Sequence, residues 1–219
     1  MANPDRAEQT PDRVAAEVRE LIVAGEVRAG EFLRLAPLAQ RFGTSVTPVR
    51  EAMGRLRGEG FVRLEPRRGF VVLPLTDEDL GDVYRVHAYV AGELAALACR
   101  RLTDEQLDAL RATQDELERA YEAGDADRVE ELNYAFHRTI NRAAGSPRLQ
   151  WFLATAASYA PRLFFARIDG WAAASAHEHD TVLRALAARD PDAARRAMAA
   201  HVRSAGDLLA RHRSRGDHS

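Results

Sequence analysis

The 219-residue sequence predicts a mainly α-helical protein in two parts, a short N-terminal region of three helices and a β-hairpin, then a longer all-helical region. Apolar residues recur at helical spacing through most of the chain, and only one stretch has the short apolar runs typical of strands. Caps and glycines divide the chain into short segments. Hydrophobic residues make up 46% and charged residues 29%, which is typical of a globular protein.

The N-terminal region begins with two short helices. Residues 12–24 form the first, because Val14 and Val18 recur at helical spacing before Gly25 ends the run. The stretch LAPLAQRF predicts a second helix that stops at Gly43. The polar residues 1–11 are predicted to be a disordered tail.

The third helix is predicted from Thr44 to Gly58. Ser45 or Thr47 can cap its first free N–H groups, and Pro48 suits a position in the first turn. The hydroxyl side chains therefore mark the start of this helix.

Two short β-type runs, FVRLEP and GFVVLP, follow the third helix. They are separated by Arg67 and Arg68, and Gly69 opens the second run, which predicts a hairpin with arginines at its tip. Two helices joined by a turn and followed by such a hairpin form a winged helix-turn-helix, here predicted over residues 12–75.

Charge differs between the two regions. Residues 12–75 contain 11 arginines against 8 acidic residues, whereas residues 76–219 contain 19 arginines against 23 acidic residues. A positive N-terminal region favours a nucleic-acid partner. The alternative is an ordinary helix with solvated arginines, and Arg55 and Arg57 can be of that kind.

The start of the third helix carries the chemistry that DNA recognition needs. Its free N–H groups suit phosphate, and Arg50 can reach a guanine or a phosphate in the major groove. Ser45 and Thr47 lie where contacts to the DNA backbone are made. Arg67 and Arg68 at the hairpin tip can enter the neighbouring minor groove or bind phosphate.

Residues 38–72 read LAQRFGTSVTPVREAMGRLRGEGFVRLEPRRGFVV, which resembles the DNA-binding domain of GntR-type bacterial transcription regulators. The family frame contains G-x-S-R-T-P-V-R-E-A-L, followed by a wing ending in G-x-x-V. This chain has Val46 where the family commonly has arginine, so its preference for DNA sequence can differ. The resemblance implies a DNA surface containing Arg34, Ser45, Thr47, Arg50 and Gly69.

From Thr76 the chain is predicted to be helical to residue 213, with a disordered tail at 214–219. Thr103 and Gln106 form a capping box, and Ser146 followed by Pro147 marks another helix start. Six helices joined by short breaks predict a compact antiparallel bundle.

Four side chains of the helical region have the types that bind divalent metals. Asn133 and His137 share one helix face, and His179 and His201 lie on two later helices. Three imidazoles and an amide oxygen suit Zn²⁺, Ni²⁺ or another divalent ion. Spacing alone leaves the alternative open that these histidines are surface residues or hydrogen-bonded core residues.

The region from Thr76 to about Arg211 resembles the FCD ligand-binding domain of the FadR-like branch of the same superfamily. The motifs are NYAFH (133–137), HDTVLRAL (179–186) and ARRAMAAH (194–201). Metal-binding members use these motifs, which implies the ligand set Asn133, His137, His179 and His201. Asn133 stands where the family frequently has aspartate, and a neutral ligand lowers the charge of the site and should weaken metal binding.

The resemblance also indicates where an effector binds. The family's first bundle helix commonly carries R-x-x-x-E, whose arginine often contacts a carboxylate, but the matching positions here are His87 and Ala91. Arg85 is turned by about 200° from His87 around the helix. The candidate effector contacts, each of which can equally pack or lie at the surface, are His87, Tyr89, Tyr134 and Arg138.

Together these resemblances imply a sequence-specific transcription regulator rather than an enzyme. Its expected partners are operator DNA, a small effector such as a carboxylate, and a second copy of the chain in a homodimer, and repression is the usual outcome in the family. The alternatives are a metal-dependent hydrolase fused to a DNA-binding domain and a purely structural adaptor. No motif of the H-E-x-x-H kind supplies a general base for the hydrolase.

Cellular location is predicted from features that are missing from the sequence. Cys99 has no cysteine partner for a disulfide, the N-terminal residues lack an apolar segment, and no apolar run is long enough to span a bilayer. We therefore expect a cytoplasmic protein with no membrane partner.

Overall fold

The computed structural model describes residues 10–159 and 170–216. The chain divides into two compact units, Met1–Thr76 and Asp77–Ser219. Most of the two predicted tails, residues 1–9 and 217–219, lies outside the described residues. The first helix begins at Pro11, within the predicted tail 1–11, and the last helix continues to Gly216, past the predicted end at residue 213.

The first unit contains three helices and three short strands. Apolar residues of the first and third helices form its core, and the third contributes Val49, Ala52, Met53 and Leu56, all fully buried. Arg19 of the first helix donates two hydrogen bonds to Glu59 Oε2, at 3.0 Å from Nε and 2.6 Å from Nη2. The elements are α1 (Pro11–Val23), β1 (Phe32–Leu33), α2 (Leu35–Arg41), α3 (Val46–Gly58), β2 (Val62–Glu65) and β3 (Gly69–Val72).

The strands form an antiparallel sheet in the order β1-β3-β2. The predicted hairpin is β2 and β3, in which Val62 pairs with Val72 and Glu65 with Gly69. The sequence analysis missed β1, a two-residue strand in which Leu33 pairs with Phe70. So short a strand has too few residues to show a period of two, and it forms only because β3 offers a free edge.

The second unit contains six helices in its described residues. The capping box at Thr103 is confirmed, since Gln106 N–H donates to its hydroxyl at 3.2 Å and the Gln106 side chain accepts from the Thr103 N–H at 3.0 Å. The helices are α4 (Asp77–Cys99), α5 (Asp104–Glu122), α6 (Ala126–Ala143), α7 (Pro147–Ala157), α8 (Trp171–Ala187) and α9 (Pro191–Gly216).

Glycines allow α4 and α9 to approach closely. A Cβ on Gly92 would lie 2.9 Å from the Arg195 carbonyl oxygen, and one on Gly206 would lie 2.6 Å from Cγ of Tyr84. Side chains at these positions would force the helices apart. This close packing positions the residues of α4 and α9 that line the candidate site.

Candidate metal centre and nucleic-acid interface

The start of α3 presents polar side chains to solvent. Ser45, Thr47 and Arg50 are all exposed. Ser45 is the N-cap residue, but its side chain accepts no helix N–H among the described residues, so the hydroxyl is available to an external group. The helix begins at Val46 rather than Thr44, and Arg50 is its fifth residue, at the start of the second turn. One turn of helix keeps its long side chain within reach of a groove.

The exposed arginines of this unit extend beyond α3. Arg34 is exposed at the N-cap of α2, and Arg67 and Arg68 are exposed at the turn between β2 and β3. The Arg68 N–H donates to the Glu65 carbonyl at 3.1 Å, which closes that turn. The Arg68 guanidinium also lies 4.1 Å from the centre of the Phe32 ring, a cation–π contact between the turn and β1.

Gly69 has a structural reason to be glycine. Its φ is +106°, and a Cβ there would lie 2.9 Å from the Leu33 carbonyl oxygen. A larger residue would push β1 away from β3. Gly69 therefore shapes the predicted DNA surface through its backbone.

Three histidines from three helices meet in the second unit. His137 Nε2 of α6 lies 3.3 Å from His179 Nε2 of α8 and 3.1 Å from His201 Nε2 of α9. The ligand atoms of all three residues lie within 4.8 Å of one another. His179 and His201 are 0% and 5% exposed, and the Phe136 ring stacks on His179 at 4.0 Å between centroids. The three residues are called the histidine cluster below.

Hydrogen-bond partners fix the orientation of two of these rings. Gln114 donates from Nε2 to Glu118 Oε1 at 2.9 Å and to the Ala176 carbonyl at 3.2 Å, so its oxygen faces His179 Nδ1 at 2.9 Å. His179 therefore carries its proton on Nδ1 and keeps a lone pair on Nε2. His201 Nδ1 lies 2.9 Å from Glu178 Oε2 in the same arrangement.

The electrostatics of the cluster favour neutral imidazoles. Burial lowers the pKa of His137 and of His179 well below the usual value, and repulsion from His201 lowers both further. Burial opposes ionisation of Glu178, but hydrogen bonds from His201 and Ser204 outweigh it and lower the pKa of that carboxyl group. Neutral imidazoles with converging lone pairs are the form that binds a cation.

A cavity of about 350 Å³ opens beside the cluster and is lined by His137 and His201. Asn133 lines it too, and its Oδ1 is buried without a hydrogen-bond partner among the described residues. Such an atom is costly unless a ligand pairs with it. An ion held by the three histidines would supply that partner.

Three of the four candidate effector residues, His87, Tyr134 and Arg138, line this cavity. Burial, and to a lesser extent His201, lowers the pKa of His87 to about 4. Its Nδ1 is also buried without a hydrogen-bond partner in the described part of the chain. Tyr89 is 67% exposed and does not line the cavity, because α4 turns it to solvent.

Sequence reasoning missed several residues of this site. No sequence pattern marks Gln114 or Glu178 as part of the site. Gln114 contacts His179, which is 65 residues away, and Glu178 contacts His201 on another helix. Arg142 lines the cavity one helical turn after Arg138, and this spacing could have been used. Trp171 also lines it, at the start of α8.

A winged helix-turn-helix unit followed by a helical unit with a ligand-sized cavity defines a class, the ligand-responsive transcription regulators. The model for bacterial regulatory proteins of the gntR family matches residues 10–72, and the model for the FCD domain matches residues 82–204. The chain is 31% identical over 193 residues to the Nta operon transcriptional regulator of Aminobacter aminovorans, covering 86% of this chain and 89% of the relative. This chain belongs to the GntR family and carries an FCD domain.

Other relatives agree with this class. The gluconate operon transcriptional repressor of Bacillus licheniformis is 33% identical, although the match covers only 60% of this chain and 54% of that relative. The solved structure of Escherichia coli McbR/YncC shares the fold, with a TM-score of 0.72, 23% identity, and coverage of 92% of this chain and 97% of that chain. The protein is therefore a DNA-binding transcription regulator and not an enzyme, and the hydrolase alternative finds no support.

Among the described residues, no helix is both long and apolar enough to cross a membrane.

Proposed function

We propose that this protein represses transcription as a homodimer and that a small carboxylate, bound beside a divalent metal ion in the helical unit, changes its affinity for operator DNA. The observation that carries the proposal is the histidine cluster, three imidazoles, two of them buried and one half-buried, whose Nε2 atoms converge at the wall of a cavity. A cluster of this kind has no role in reading DNA, whereas it suits a site for a bound ligand.

The proposed metal ligands are His137, His179, His201 and Asn133. Gln114 and Glu178 hold two of the rings in the tautomer that binds, as outer partners of metal ligands generally do. Nitrogen and oxygen donors of these types suit Zn²⁺ or Ni²⁺. When bound, the ion supplies a fixed positive charge that anchors a carboxylate.

The cavity supports a ligand that is polar along one side. Asn133, His137 and Arg138 face it from α6, whereas Leu153 of α7 and Val202 of α9 provide apolar wall. Arg138 is exposed where it lines the cavity, so its charge is available to an anion. The proposed effector is therefore a small carboxylate with an apolar side.

The proposed DNA contacts are the exposed residues of the first unit. In each protomer Arg50 reads a base edge or a phosphate, Ser45 and Thr47 hold the DNA backbone, and the arginines of the turn between β2 and β3 contact the next groove. A two-fold dimer places two such readers on the half-sites of a pseudo-palindrome. The effector acts by favouring one arrangement of the two readers, through a coupling of roughly 1–3 kcal/mol.

The DNA proposal is tested by selecting sites from a random DNA library with the full chain and measuring affinity for the selected site. Selected sequences should form an inverted repeat. Arg50→Ala should lose about 1–3 kcal/mol of discrimination per half-site, because a good base contact is worth that much. Arg57→Ala is the matched control, since Arg57 is equally exposed but lies in the last turn of α3.

Equal loss in the two variants would mean that general charge, and not a recognition helix, accounts for binding. Sedimentation of the protein with and without DNA tests the homodimer. The effector proposal is tested by repeating the affinity measurement with Zn²⁺ and a panel of small carboxylates. A constant operator affinity across that panel would contradict it.

A further inference from the structure

We infer that the metal ion and the anionic effector bind this protein as an interdependent pair, so that neither is held tightly without the other. This inference rests on the proposed metal and effector site and adds to it a rule for its regulation. It follows from the charge of the groups that surround the cluster.

No ligand in the proposed set carries a negative charge. The three histidines are neutral when they coordinate, and Asn133 contributes an amide oxygen. Among the described residues, the histidines form a group of possible metal ligands that includes no carboxylate. A divalent ion held here therefore keeps both of its positive charges, and the ligand set attracts it less strongly than one with a carboxylate.

The nearby carboxylates do not remove this deficit. Glu178 lies behind His201, on Nδ1, which is the ring nitrogen that faces away from the cluster. Glu130 lines the cavity, but its carboxylate is not in the group of atoms within 4.8 Å. Both act at a distance, where their attraction for the ion is weaker than that of a direct ligand.

The cavity adds further positive charge. Arg138 and Arg142 line it, and both side chains are exposed. Without the metal, the arginines that an anion meets at the cavity are these two exposed side chains. With the metal, the same anion neutralises a buried positive charge, so it gains binding energy and stabilises the ion in return.

Thermodynamic linkage requires these two effects to be equal: whatever factor the anion adds to metal affinity, the metal adds to anion affinity. The neutral Asn133 makes this factor large. A carboxylate ligand at that position would already neutralise part of the charge of the metal ion and leave less for the anion to neutralise. Operator affinity should accordingly respond to the metal and the anion together.

The test measures Zn²⁺ affinity of the full chain by competition with a chromophoric chelator. The measurement is made alone, with acetate or succinate at saturating concentration, and with acetamide or succinamide as uncharged analogues. Chelator blanks correct for zinc binding by the carboxylates in solution. We expect at least one carboxylate to raise Zn²⁺ affinity about 5- to 150-fold, the usual range of coupling between sites, and the amides to have no effect.

Asn133→Asp is the decisive variant, because it adds one negative charge with almost no change in shape. It should bind Zn²⁺ at least about 10-fold more tightly in the absence of any anion and respond less to the carboxylates. Asn141→Asp is the matched control. It adds the same charge to the same cavity wall, one helical turn from His137 on the side opposite Asn133, but Asn141 is not among the proposed metal ligands, so it should raise zinc affinity in the absence of anion much less than Asn133→Asp does.

The outcomes separate this inference from the proposed function. Stoichiometric Zn²⁺ binding with the same affinity in carboxylate, amide and buffer would overturn the pairing while the metal site stands. An Asn133→Asp chain that is folded by circular dichroism but binds Zn²⁺ no more tightly would also overturn it. Failure of wild-type protein to bind Zn²⁺ under every condition would refute both. If Asn133→Asp does not fold, the anion dependence of the wild type decides the question by itself.

Discussion

The two units of this protein keep their functional side chains in opposite environments. In the first unit Ser45, Thr47 and Arg50 are exposed, on a helix whose other face forms the core. In the second unit His179 and His201 are buried, and they are hydrogen-bonded to the buried Gln114 and the half-buried Glu178. An exposed residue can be exchanged with little effect on the fold, whereas a buried polar residue belongs to the fold and to the site together.

This difference predicts how each unit tolerates change. The proposed DNA contacts need a partner outside the protein, so their substitution should change DNA affinity and leave the free energy of unfolding nearly unchanged. The residues of the histidine cluster contact one another inside the second unit. Small steric changes in the packing around them should therefore change both stability and ligand binding. The three predictions below test this contrast.

Removing a cluster ligand should have the largest effect. His137→Ala removes the imidazole that faces both other rings, and should lower divalent-metal affinity by more than about 100-fold, since even outer-shell changes cost 10- to 100-fold. Elemental analysis of the reconstituted protein measures the loss. Non-specific DNA binding, which depends on the first unit, should not change.

The matched control for this variant is His177→Ala. His177 is exposed and lies two residues before His179 on the same helix, so it removes a histidine without touching the cluster. Metal content should match that of the wild type. A comparable loss in both variants would show that metal binds to surface histidines instead.

A single added methyl group should destabilise the helical unit. In Gly206→Ala the new Cβ would meet the ring of Tyr84 at 2.6 Å, and overpacking of this kind costs about 1–3 kcal/mol. Tyr84 also lines the cavity, so carboxylate binding should weaken in the same variant. Urea denaturation gives the change in the free energy of unfolding.

Gly81→Ala provides the comparison within the same helix as Tyr84. A Cβ at Gly81 has no atom within 4 Å, so alanine should stabilise α4 by about 0.5–1 kcal/mol through its higher helix propensity. Two variants with the same chemistry should thus move stability in opposite directions. Equal effects would mean that the close approach of α4 and α9 does not limit this unit.

The exposed and buried sites also differ in how well the sequence predicts them. The proposed DNA surface lies within a continuous stretch of the chain, so caps, arginines and turn residues are the signals that predict it. The cluster joins residues from 137 to 201, and spacing indicates its donors, whereas only the family resemblance implies that they converge, because convergence depends on how α6, α8 and α9 pack. Gln114 could not be predicted at all, because its role exists only through His179.

Two differences between the sequence-based predictions and the structure, at the start of α3 and at Tyr89, have similar causes. The start of α3 was predicted two residues early because several capping residues follow one another, and local chemistry does not choose among them. Tyr89 was included for its position near His87, but neighbours separated by two residues lie on different faces of a helix. Local signals predict elements well, whereas packing decides which face meets a cavity.

The smallest change in stability and in DNA affinity is expected at the turn between β2 and β3 of the first unit, which contains a strained residue. Arg67 has φ of 65°, a left-handed conformation that glycine adopts without strain and other residues adopt at a cost of about 1–2 kcal/mol. Glycine at this position should therefore stabilise the first unit by about 1 kcal/mol. The natural arginine is costly for the fold, which favours a role for its side chain in binding.

Arg67→Gly should consequently raise stability and weaken DNA binding in the same molecule. The loss of one phosphate contact should reduce the slope of log affinity against log salt by about 1, across all DNA sequences. Arg68→Gly is the contrasting variant, because it removes the cation–π contact with Phe32 and gains no relief of strain. Arg67→Gly can prove more stable and still bind DNA with an unchanged salt slope. In that case the Arg67 side chain does not contact a phosphate, and the first unit binds DNA through α3 without the hairpin.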